Sequence, residues 1–352
     1  MIPYQREAAR RIRIGVVGVG SHSYRNILPT LTYLPVELVA VADADAGRAA
    51  QAARQYGAKA SYGSATEMYA AEDLEAVLLC VSPKLHPPLA IEAFNAGLHV
   101  YMEKPAALRA SAIPEMIAAR GALKSVVGYK KAFMPAVRKA VDLLALEENA
   151  PLRSVLGVYP CALPDNGPEA LESGADTEWL ANGCHPLSAL IALSGPVETV
   201  TVHRARHGGA AVILQHRAGA MSTLQLAKGV PMSQPFERYL VAAGEHSIEI
   251  ENARRLVYQR GIPFAYGNAT SFISDELDRG AVVWEAQDGL NTLENKAVFT
   301  QGLFGGLSAF CSAVLDGTPP AAGTLEFALE LTRVWEAVHL SDGQPVPVES
   351  AA

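Results

Sequence analysis

The length, composition and charge of the chain exclude several classes of protein before any motif is considered. With 352 residues, of which 50% are hydrophobic and 18% charged, the chain is long enough for two globular domains and too apolar for a disordered protein. A net charge of -7 without a lysine and arginine cluster argues against a nucleic-acid partner. Four widely spaced cysteines without a C-x-x-C pair favour free thiols and no metal site. No apolar segment is long enough to cross a bilayer, so we expect a soluble, cytoplasmic protein without a membrane partner.

The amino-terminal part of the chain alternates strand and helix patterns after a loose polar arm at residues 1–10. Strands are predicted at 12–17, 36–42, 76–81, 98–102 and 125–127, and helices at 24–32, 46–56, 86–96 and 110–123. The run 76–81 is continuously apolar, which is typical of a parallel strand covered on both faces. We therefore predict an α/β Rossmann domain over residues 11–127, with a doubly wound parallel sheet and ligands at the carboxyl ends of its strands.

The rhythm changes after Gly128. Helices are predicted at 134–146, 183–193, 295–315 and 325–339, a long loop at 160–178, and short strands at 198–206, 211–215, 221–226, 239–243, 247–251 and 255–258. Short apolar strands separated by turns predict an antiparallel sheet. Residues 128–340 are therefore expected to form an α+β domain with a mostly antiparallel open sheet, followed by a tail at 341–352.

The first strand runs into a glycine turn, Gly18-Val19-Gly20, and then a helix. Such a turn lets backbone N–H groups approach a pyrophosphate at the positive end of the helix. The G-x-G-x-x-G fingerprint is incomplete, because Ser23 stands in place of its third glycine. An acidic residue at the end of the second strand is expected to bind the ribose. The predicted cofactor residues of this region are Gly18, Gly20, Ser21, His22 and Asp43.

Two more loops follow predicted strands at the same edge of the sheet. Ser82 and Pro83, with His86 at the start of the next helix, are candidates for binding a ribose or phosphate, and a plain proline-punctuated loop is the alternative. Glu103 and Lys104 follow the next strand and are also candidates for binding the cofactor, and Lys104 is in addition a candidate to exchange a proton with a substrate. The alternative for Lys104 is a solvated lysine in a turn.

Four residues of the second domain are candidates for binding the substrate: Lys130, Trp179, Asn182 and His185. Lys130 could bind substrate hydroxyls or a phosphate, and the alternative is that it is an ordinary surface lysine. His185 lies near the start of a predicted helix, where the helix dipole disfavours a cationic imidazole, so it could act as a base. A lone histidine is more often structural, and that alternative stays open.

Taken together, these stretches resemble the Gfo/Idh/MocA family, named for glucose-fructose oxidoreductase, inositol dehydrogenase and a rhizopine-catabolism protein. The likeness covers nearly the whole chain and rests on these segments: 15–20, 39–43, Ser82-Pro83 with His86, Glu103-Lys104-Pro105, Gly128-Tyr129 with Phe133 and Pro135, and 182–185. It implies a nicotinamide cofactor and a sugar or cyclitol substrate, with Lys104 and His185 as catalytic residues. It also implies that the last helix, 325–339, returns to the first domain and that the carboxyl-terminal sheet joins a homodimer or homotetramer.

The chain departs from the family pattern at a few positions. Ala181 stands where the family commonly has an aspartate four residues before the histidine, and Asn182, Asp176 or Glu178 could replace that carboxylate. Lys84 and Lys130 replace two family asparagines.

The cofactor and the reaction each have alternatives. Asp43 favours NAD because a carboxylate repels a 2′-phosphate, whereas Arg48 leaves NADP possible. Besides a dehydrogenase, a glycoside hydrolase that recycles bound NAD and a non-catalytic dinucleotide- or sugar-binding regulator stay open.

Overall fold

The computed structural model describes residues 8–231, 236–261, 280–286 and 297–349. The chain divides into two compact units. Unit 1 contains the residues up to Phe133 together with Gly302–Arg333, and unit 2 contains Met134–Gln301 and Val334–Ser350. These bounds differ from the sequence-based domains in two respects: unit 1 extends to Phe133 rather than to residue 127, and the segment Gly302–Arg333 clusters with unit 1 rather than with the second domain.

Unit 1 is built on a six-stranded parallel sheet. Its strands are β1 (Ile12–Val17), β2 (Val36–Ala42), β3 (Ala60–Tyr62), β4 (Ala76–Leu79), β5 (His99–Met102) and β6 (Ser125–Val127), in the order β3-β2-β1-β4-β5-β6. The order reverses between β1 and β4, which is the place where open α/β sheets bind ligands beyond the carboxyl ends of their strands. The predicted Rossmann sheet is confirmed. The strand β3 was not predicted, because it has only three residues.

The helices of unit 1 are α1 (Ser23–Ile27, a π-helical turn continued by Leu28–Thr30 and Leu31–Tyr33), α2 (Ala46–Tyr56), α3 (Ala65–Ala71), α4 (His86–Asn95) and α5 (Ile113–Arg120). Local sequence signals explain the bounds of α2. The Asp45 side chain caps its start by accepting the N–H of Arg48 at 3.0 Å, and Gly57 ends it with a left-handed φ of +79°. All four residues of β4 are buried, as expected for a strand covered on both faces.

Unit 2 contains a nine-stranded mixed sheet in the order β14-β13-β12-β11-β7-β10-β9-β8-β15. Its strands are β7 (Leu152–Tyr159), β8 (Val197–Arg204), β9 (Gly209–His216), β10 (Met221–Ala227), β11 (Arg238–Ala243), β12 (His246–Glu251), β13 (Arg255–Gln259), β14 (Ala281–Glu285) and β15 (Val346–Pro347). Only the pair β7 and β10 is parallel among these described strands, so the predicted, mostly antiparallel sheet is confirmed. The strand β15 lies within the predicted tail.

The remaining helices are α6 (Pro135–Leu144), α7 (Gly167–Ser173), α8 (Glu178–Asn182), α9 (Cys184–Ser194), α10 (Ala297–Thr300), α11 (Leu303–Asp316) and α12 (Leu325–Leu340). The prediction of a continuous loop at 160–178 is wrong, because α7 and the first residue of α8 lie within it. Asn166 and Thr177 cap these two helices, each accepting a backbone N–H with its side chain. Residues 295 and 296 of the predicted helix 295–315 lie outside the described residues, and the helix is interrupted between α10 and α11.

The two faces of the unit 2 sheet differ. Side chains of β7 alternate, so that Val155 and Tyr159 are buried while Leu156 is 43% exposed. A Cβ atom on Gly157 would lie 3.5 Å from the side chain of Leu190 in α9, which places that helix against the inner face. Within the described ranges, we find no helix that could span a membrane and no cluster of three metal-binding side chains.

Candidate active site

The glycine turn after β1 requires Gly18. Its φ of +86° favours glycine, and a Cβ atom there would collide with the carbonyl oxygen of Cys80. The N–H of Gly18 donates to the oxygen of Ala42 at 2.8 Å, which ties the turn to the end of β2. A Cβ atom on Gly20 would instead have no neighbouring atom within 4 Å. The backbone at Gly20 is therefore open to the close approach of a ligand.

Asp43 lies directly after β2, beside this turn. Its Oδ2 accepts the N–H of Val19 at 2.9 Å, and its Oδ1 accepts the N–H of Asp45 at 2.9 Å. Nη1 of Arg48 lies 3.7 Å from Oδ2. Since each carboxylate oxygen has a second lone pair, Asp43 can still accept hydroxyl groups while it orders the turn. A pair of ribose hydroxyls fits this donor and acceptor pattern, and Arg48 is the nearby cation that could meet a phosphate.

The loop after β4 contains exposed and buried candidates. Ser82 is exposed and Pro83 half-buried, whereas His86 is fully buried at the start of α4. Nδ1 of His86 lies 2.8 Å from the carbonyl oxygen of Pro105, so that nitrogen donates and carries the ring proton. Burial lowers the pKa of His86 and outweighs the opposing backbone bonds and the charge of Glu103. His86 thus joins two loops of the sheet edge, and its contact with a cofactor stays a prediction.

The loop after β5 places a buried carboxylate beside a lysine. Glu103 is only 7% exposed, and its Oε2 accepts the backbone N–H of Lys104 at 3.4 Å. Oε1 accepts the hydroxyl of Tyr101 at 3.5 Å and lies 3.6 Å from Nε2 of His22. The half-buried Lys104 is followed by a cis peptide bond to Pro105.

The ionisation of Glu103 reflects competing effects. Burial raises the pKa of Glu103, but the hydrogen bond from His22 and the ammonium group and backbone N–H of Lys104 together lower it by more. The net pKa lies below its ordinary value, so the buried carboxylate is ionised at neutral pH. It can therefore act as a fixed acceptor for its neighbours.

The lysines after β6 have separate environments. Lys130 is half-buried at the start of a short helical turn, Lys130–Phe133, and its N–H donates to the oxygen of Gly128 at 2.8 Å. Lys131 is buried. Tyr129 is also fully buried, and its hydroxyl oxygen accepts the N–H of Ala106 at 3.4 Å. Tyr129 therefore packs inside unit 1. Of these three residues, only Lys130 is partly exposed, and it is the one that a ligand could reach.

The remaining predicted residues lie at the corner between α8 and α9 in unit 2. Trp179 is fully buried, and its carbonyl oxygen accepts the indole N–H of Trp335 at 3.2 Å. A Cβ atom on Gly183 would collide with the Trp179 ring, so glycine is required where the two helices meet. Asn182 is half-exposed, and His185 is buried at the second position of α9. Trp179 is thus part of the core at this corner.

The candidate carboxylates for the position lost at Ala181 are not buried. Ala181, Asp176 and Glu178 are all exposed. Sequence reasoning missed a different carboxylate of unit 2, Glu237, which is buried and accepts the hydroxyl of Tyr239 at 3.0 Å. The signal was weak: a single glutamate directly before an apolar strand.

Comparison with known proteins supports the motif-based assignment. Residues 12–130 match the Gfo/Idh/MocA family, described as an oxidoreductase family with an NAD-binding Rossmann fold. The uncharacterized oxidoreductase ORF334 of Rhizobium meliloti is 32% identical over 153 residues, which cover 42% of this chain and 45% of that protein. D-xylose 1-dehydrogenase (NADP(+)) 2 of Haloferax volcanii is 27% identical over 233 residues, covering 62% of this chain and 70% of that protein.

The chain spans less than half the length of the first curated relatives it matches. A solved structure of levoglucosan dehydrogenase in complex with NADH and levoglucosan has a TM-score of 0.77 at 17% identity, covering 96% of this chain and 100% of that one. At this identity the likeness concerns the fold. Residues 12–130 are thus similar to the Gfo/Idh/MocA family of oxidoreductases, and unit 1 contains a parallel sheet of the Rossmann type that is described for that family.

Proposed function

We propose that the protein is an NAD(P)-dependent oxidoreductase that transfers a hydride between nicotinamide and a sugar, a sugar derivative or a cyclitol. One observation carries the proposal: the buried carboxylate of Glu103 accepts the backbone N–H of Lys104 at the carboxyl end of β5, in the same sheet as the glycine turn. The relatives named for D-xylose and levoglucosan support a carbohydrate as the substrate class.

The residues around the glycine turn fit a dinucleotide. Gly18 permits the tight turn, Gly20 leaves the backbone open to a pyrophosphate, and Asp43 keeps lone pairs for ribose hydroxyls. The carboxylate disfavours a 2′-phosphate, so we propose NAD as the preferred cofactor. NADP stays an alternative because Arg48 lies 3.7 Å from that carboxylate. When bound, the nicotinamide would supply the group that exchanges a hydride with the substrate.

Lys104 is proposed to exchange the proton of the reacting hydroxyl at its Nζ. It removes the proton when the alcohol is oxidised and returns it when the ketone is reduced. Such proton transfer contributes about 10²–10⁴-fold to a rate, and alignment of the reacting atoms contributes more. His185 is proposed as the second catalytic residue, and Lys130, Trp179 and Asn182 as residues that bind the substrate or shape its site.

The alternative with a specific observation behind it is a non-catalytic dinucleotide- or sugar-binding protein. Ala181 is exposed on α8 and supplies no carboxylate. Such a protein would bind a dinucleotide and show no turnover with any sugar.

The first test measures dinucleotide binding by calorimetry and turnover from the absorbance of the reduced nicotinamide with a panel of sugars and cyclitols. Lys104→Ala is expected to lower the turnover number by about 10²-fold or more while NAD(H) still binds. Lys124→Ala is the matched control, since Lys124 is also half-buried but precedes β6 at the opposite end of the sheet. Turnover retained by Lys104→Ala would remove Lys104 from the mechanism.

We also propose that the protein forms a homodimer or homotetramer in the cytoplasm. The support for assembly is the outer face of the unit 2 sheet, where Leu240 pairs with Leu156 and the two are 48% and 43% exposed. The support for a reducing compartment is that the thiols of Cys80, Cys161, Cys184 and Cys311 are not joined in disulfide bonds.

A further inference from the structure

The carboxylate of Glu103 contacts two residues close to it in the chain and one residue from a separate loop of unit 1. Oε1 lies 3.6 Å from Nε2 of His22 and accepts the hydroxyl of Tyr101, and Oε2 accepts the backbone N–H of Lys104. A buried carboxylate is costly unless it is paired and hydrogen-bonded, so these contacts hold it in one position. One side chain therefore links the first residues after the glycine turn to the lysine at the end of β5.

The imidazole of His22 is held at both of its nitrogens. Nδ1 lies 3.2 Å from the side-chain Nδ2 of Asn26, one helical turn further along the chain. An amide nitrogen can only donate, so Nδ1 accepts, and the proton of the neutral ring is on Nε2. Nε2 is the atom that faces Glu103. The ring is thus oriented by protein groups even though half of the side chain is exposed.

We propose that His22 and Glu103 are positioning residues that couple the binding of a pyrophosphate at the glycine turn to the placement of Lys104. This inference rests on the proposed function, which assigns the turn to the pyrophosphate and the proton transfer to Lys104. His22 lies two residues after Gly20, where the backbone N–H groups would receive the anion. When the glycine turn shifts on binding the anion, His22 moves with it. The movement passes to the Glu103 carboxylate and then to the backbone of Lys104, because His22 contacts Glu103 and Glu103 contacts the Lys104 N–H directly.

The backbone around the carboxylate leaves it little freedom to absorb such a shift. A Cβ atom on Gly128 would collide with the Tyr101 hydroxyl and would lie 3.1 Å from Oε1 of Glu103. The carboxylate is therefore packed against Gly128 on one side and held by His22 and Lys104 on the others. A tightly packed group transmits a displacement rather than relaxing it.

The test uses ADP, which contains the pyrophosphate but lacks the nicotinamide riboside. Calorimetry on the full chain gives the affinity for ADP, and acetylation by an amine-reactive ester, followed by mass spectrometry, gives the labelling rate of Lys104. In the wild type, we expect saturating ADP to change that rate by about fivefold, a typical size for coupling between two sites. In His22→Ala and Glu103→Asp, the ratio of the rates with and without ADP is expected to approach one.

Two further variants make the result specific. His22→Gln keeps an N–H donor of similar reach and is expected to restore part of the ratio. His99→Ala removes another partly exposed histidine of unit 1, whose Nδ1 accepts the N–H of Lys124 at the opposite end of β5, and should keep the wild-type ratio. A wild-type ratio near one, or an unchanged ratio in His22→Ala while ADP still binds, overturns the inference and leaves the proposed function standing. If the wild type binds neither ADP nor NAD, the proposed function fails, and the inference fails with it.

Discussion

The two sheets of this protein bury their strands in different ways. In unit 1, all four residues of β4 are buried, because helices cover both faces of the parallel sheet. In unit 2, β11 alternates, with Val241 fully buried and its neighbour Leu240 48% exposed. A sheet covered on both faces can offer a ligand only the ends of its strands, whereas a sheet with an open face can offer a surface to another protein.

This contrast explains where the candidate functional residues lie. In unit 1, the candidate residues come from loops after β1, β2, β4, β5 and β6, which a parallel sheet brings to one edge. In unit 2, the candidates lie at a helix corner, and the apolar side chains of the outer face remain exposed. The predictions below test this difference, in order of decreasing expected effect.

The largest effect is expected from placing a charge on either side of β11. Val241→Lys buries an ammonium group in the core and should lower the free energy of unfolding by at least about 3 kcal/mol. Leu240→Lys should change it by less than about 0.5 kcal/mol but shift the protein toward the monomer. Urea unfolding measures the free energy of unfolding, and light scattering measures the oligomeric state. Equal destabilisation by both variants would contradict the open face, and an intact oligomer in Leu240→Lys would contradict the proposed contact.

The next effect concerns the glycine turn. Gly18→Ala forces a side chain into a backbone conformation with φ +86° and against the carbonyl of Cys80, so it should cost about 1–3 kcal/mol and abolish NAD binding. In Gly20→Ala, the methyl group enters open space, so stability should be kept while affinity for NAD falls. Thermal unfolding and calorimetry separate the two outcomes. Normal NAD affinity in Gly20→Ala would show that no ligand approaches that position.

A smaller effect is expected at Asp43. Asp43→Ala removes the acceptor for the N–H groups of Val19 and Asp45, and we expect a loss of NAD affinity of about tenfold, or 1.4 kcal/mol. The affinity for NADP should fall less, since the repulsion of a 2′-phosphate is also removed. Asp45→Ala is the control, because it removes the cap of α2 without changing the preference between the cofactors. The same loss for both dinucleotides would argue against a ribose contact.

The smallest effect is the contribution of Glu103 to stability as a function of pH. The folded pKa of Glu103 is lowered from its ordinary value of 4.5, so the ionised carboxylate stabilises the folded protein above that value. This contribution is lost as the pH falls through the folded pKa. Glu103→Gln should therefore be less stable than the wild type near neutral pH, and the difference should shrink under acid conditions. Unfolding by urea at several pH values measures it, and a constant difference would contradict the assignment.

The elements that sequence patterns predicted well are those whose signals are local. The strands β1, β2 and β6 begin and end at the predicted residues, and α2 is bounded by Asp45 and Gly57, a cap and a left-handed glycine. The elements that were missed are short or lie in segments whose composition is typical of loops. β3 has only three residues, and α7 lies in a segment rich in proline, glycine and acidic residues, where Asn166 supplies the cap.

Residue patterns alone predict five of the six strands of the unit 1 sheet, the glycine turn, Asp43 and the Glu103-Lys104 pair, because each of these depends on residues that are neighbours in the chain. Three features could be seen only in the tertiary structure. His86 is buried and donates to the carbonyl oxygen of Pro105, the Glu103 carboxylate contacts His22 as well as Lys104, and Glu237 is buried. The contacts of His86 with Pro105 and of Glu103 with His22 join residues that are far apart in sequence. Their burial and hydrogen bonds, which set the charge and position of each group, exist only once the chain has folded.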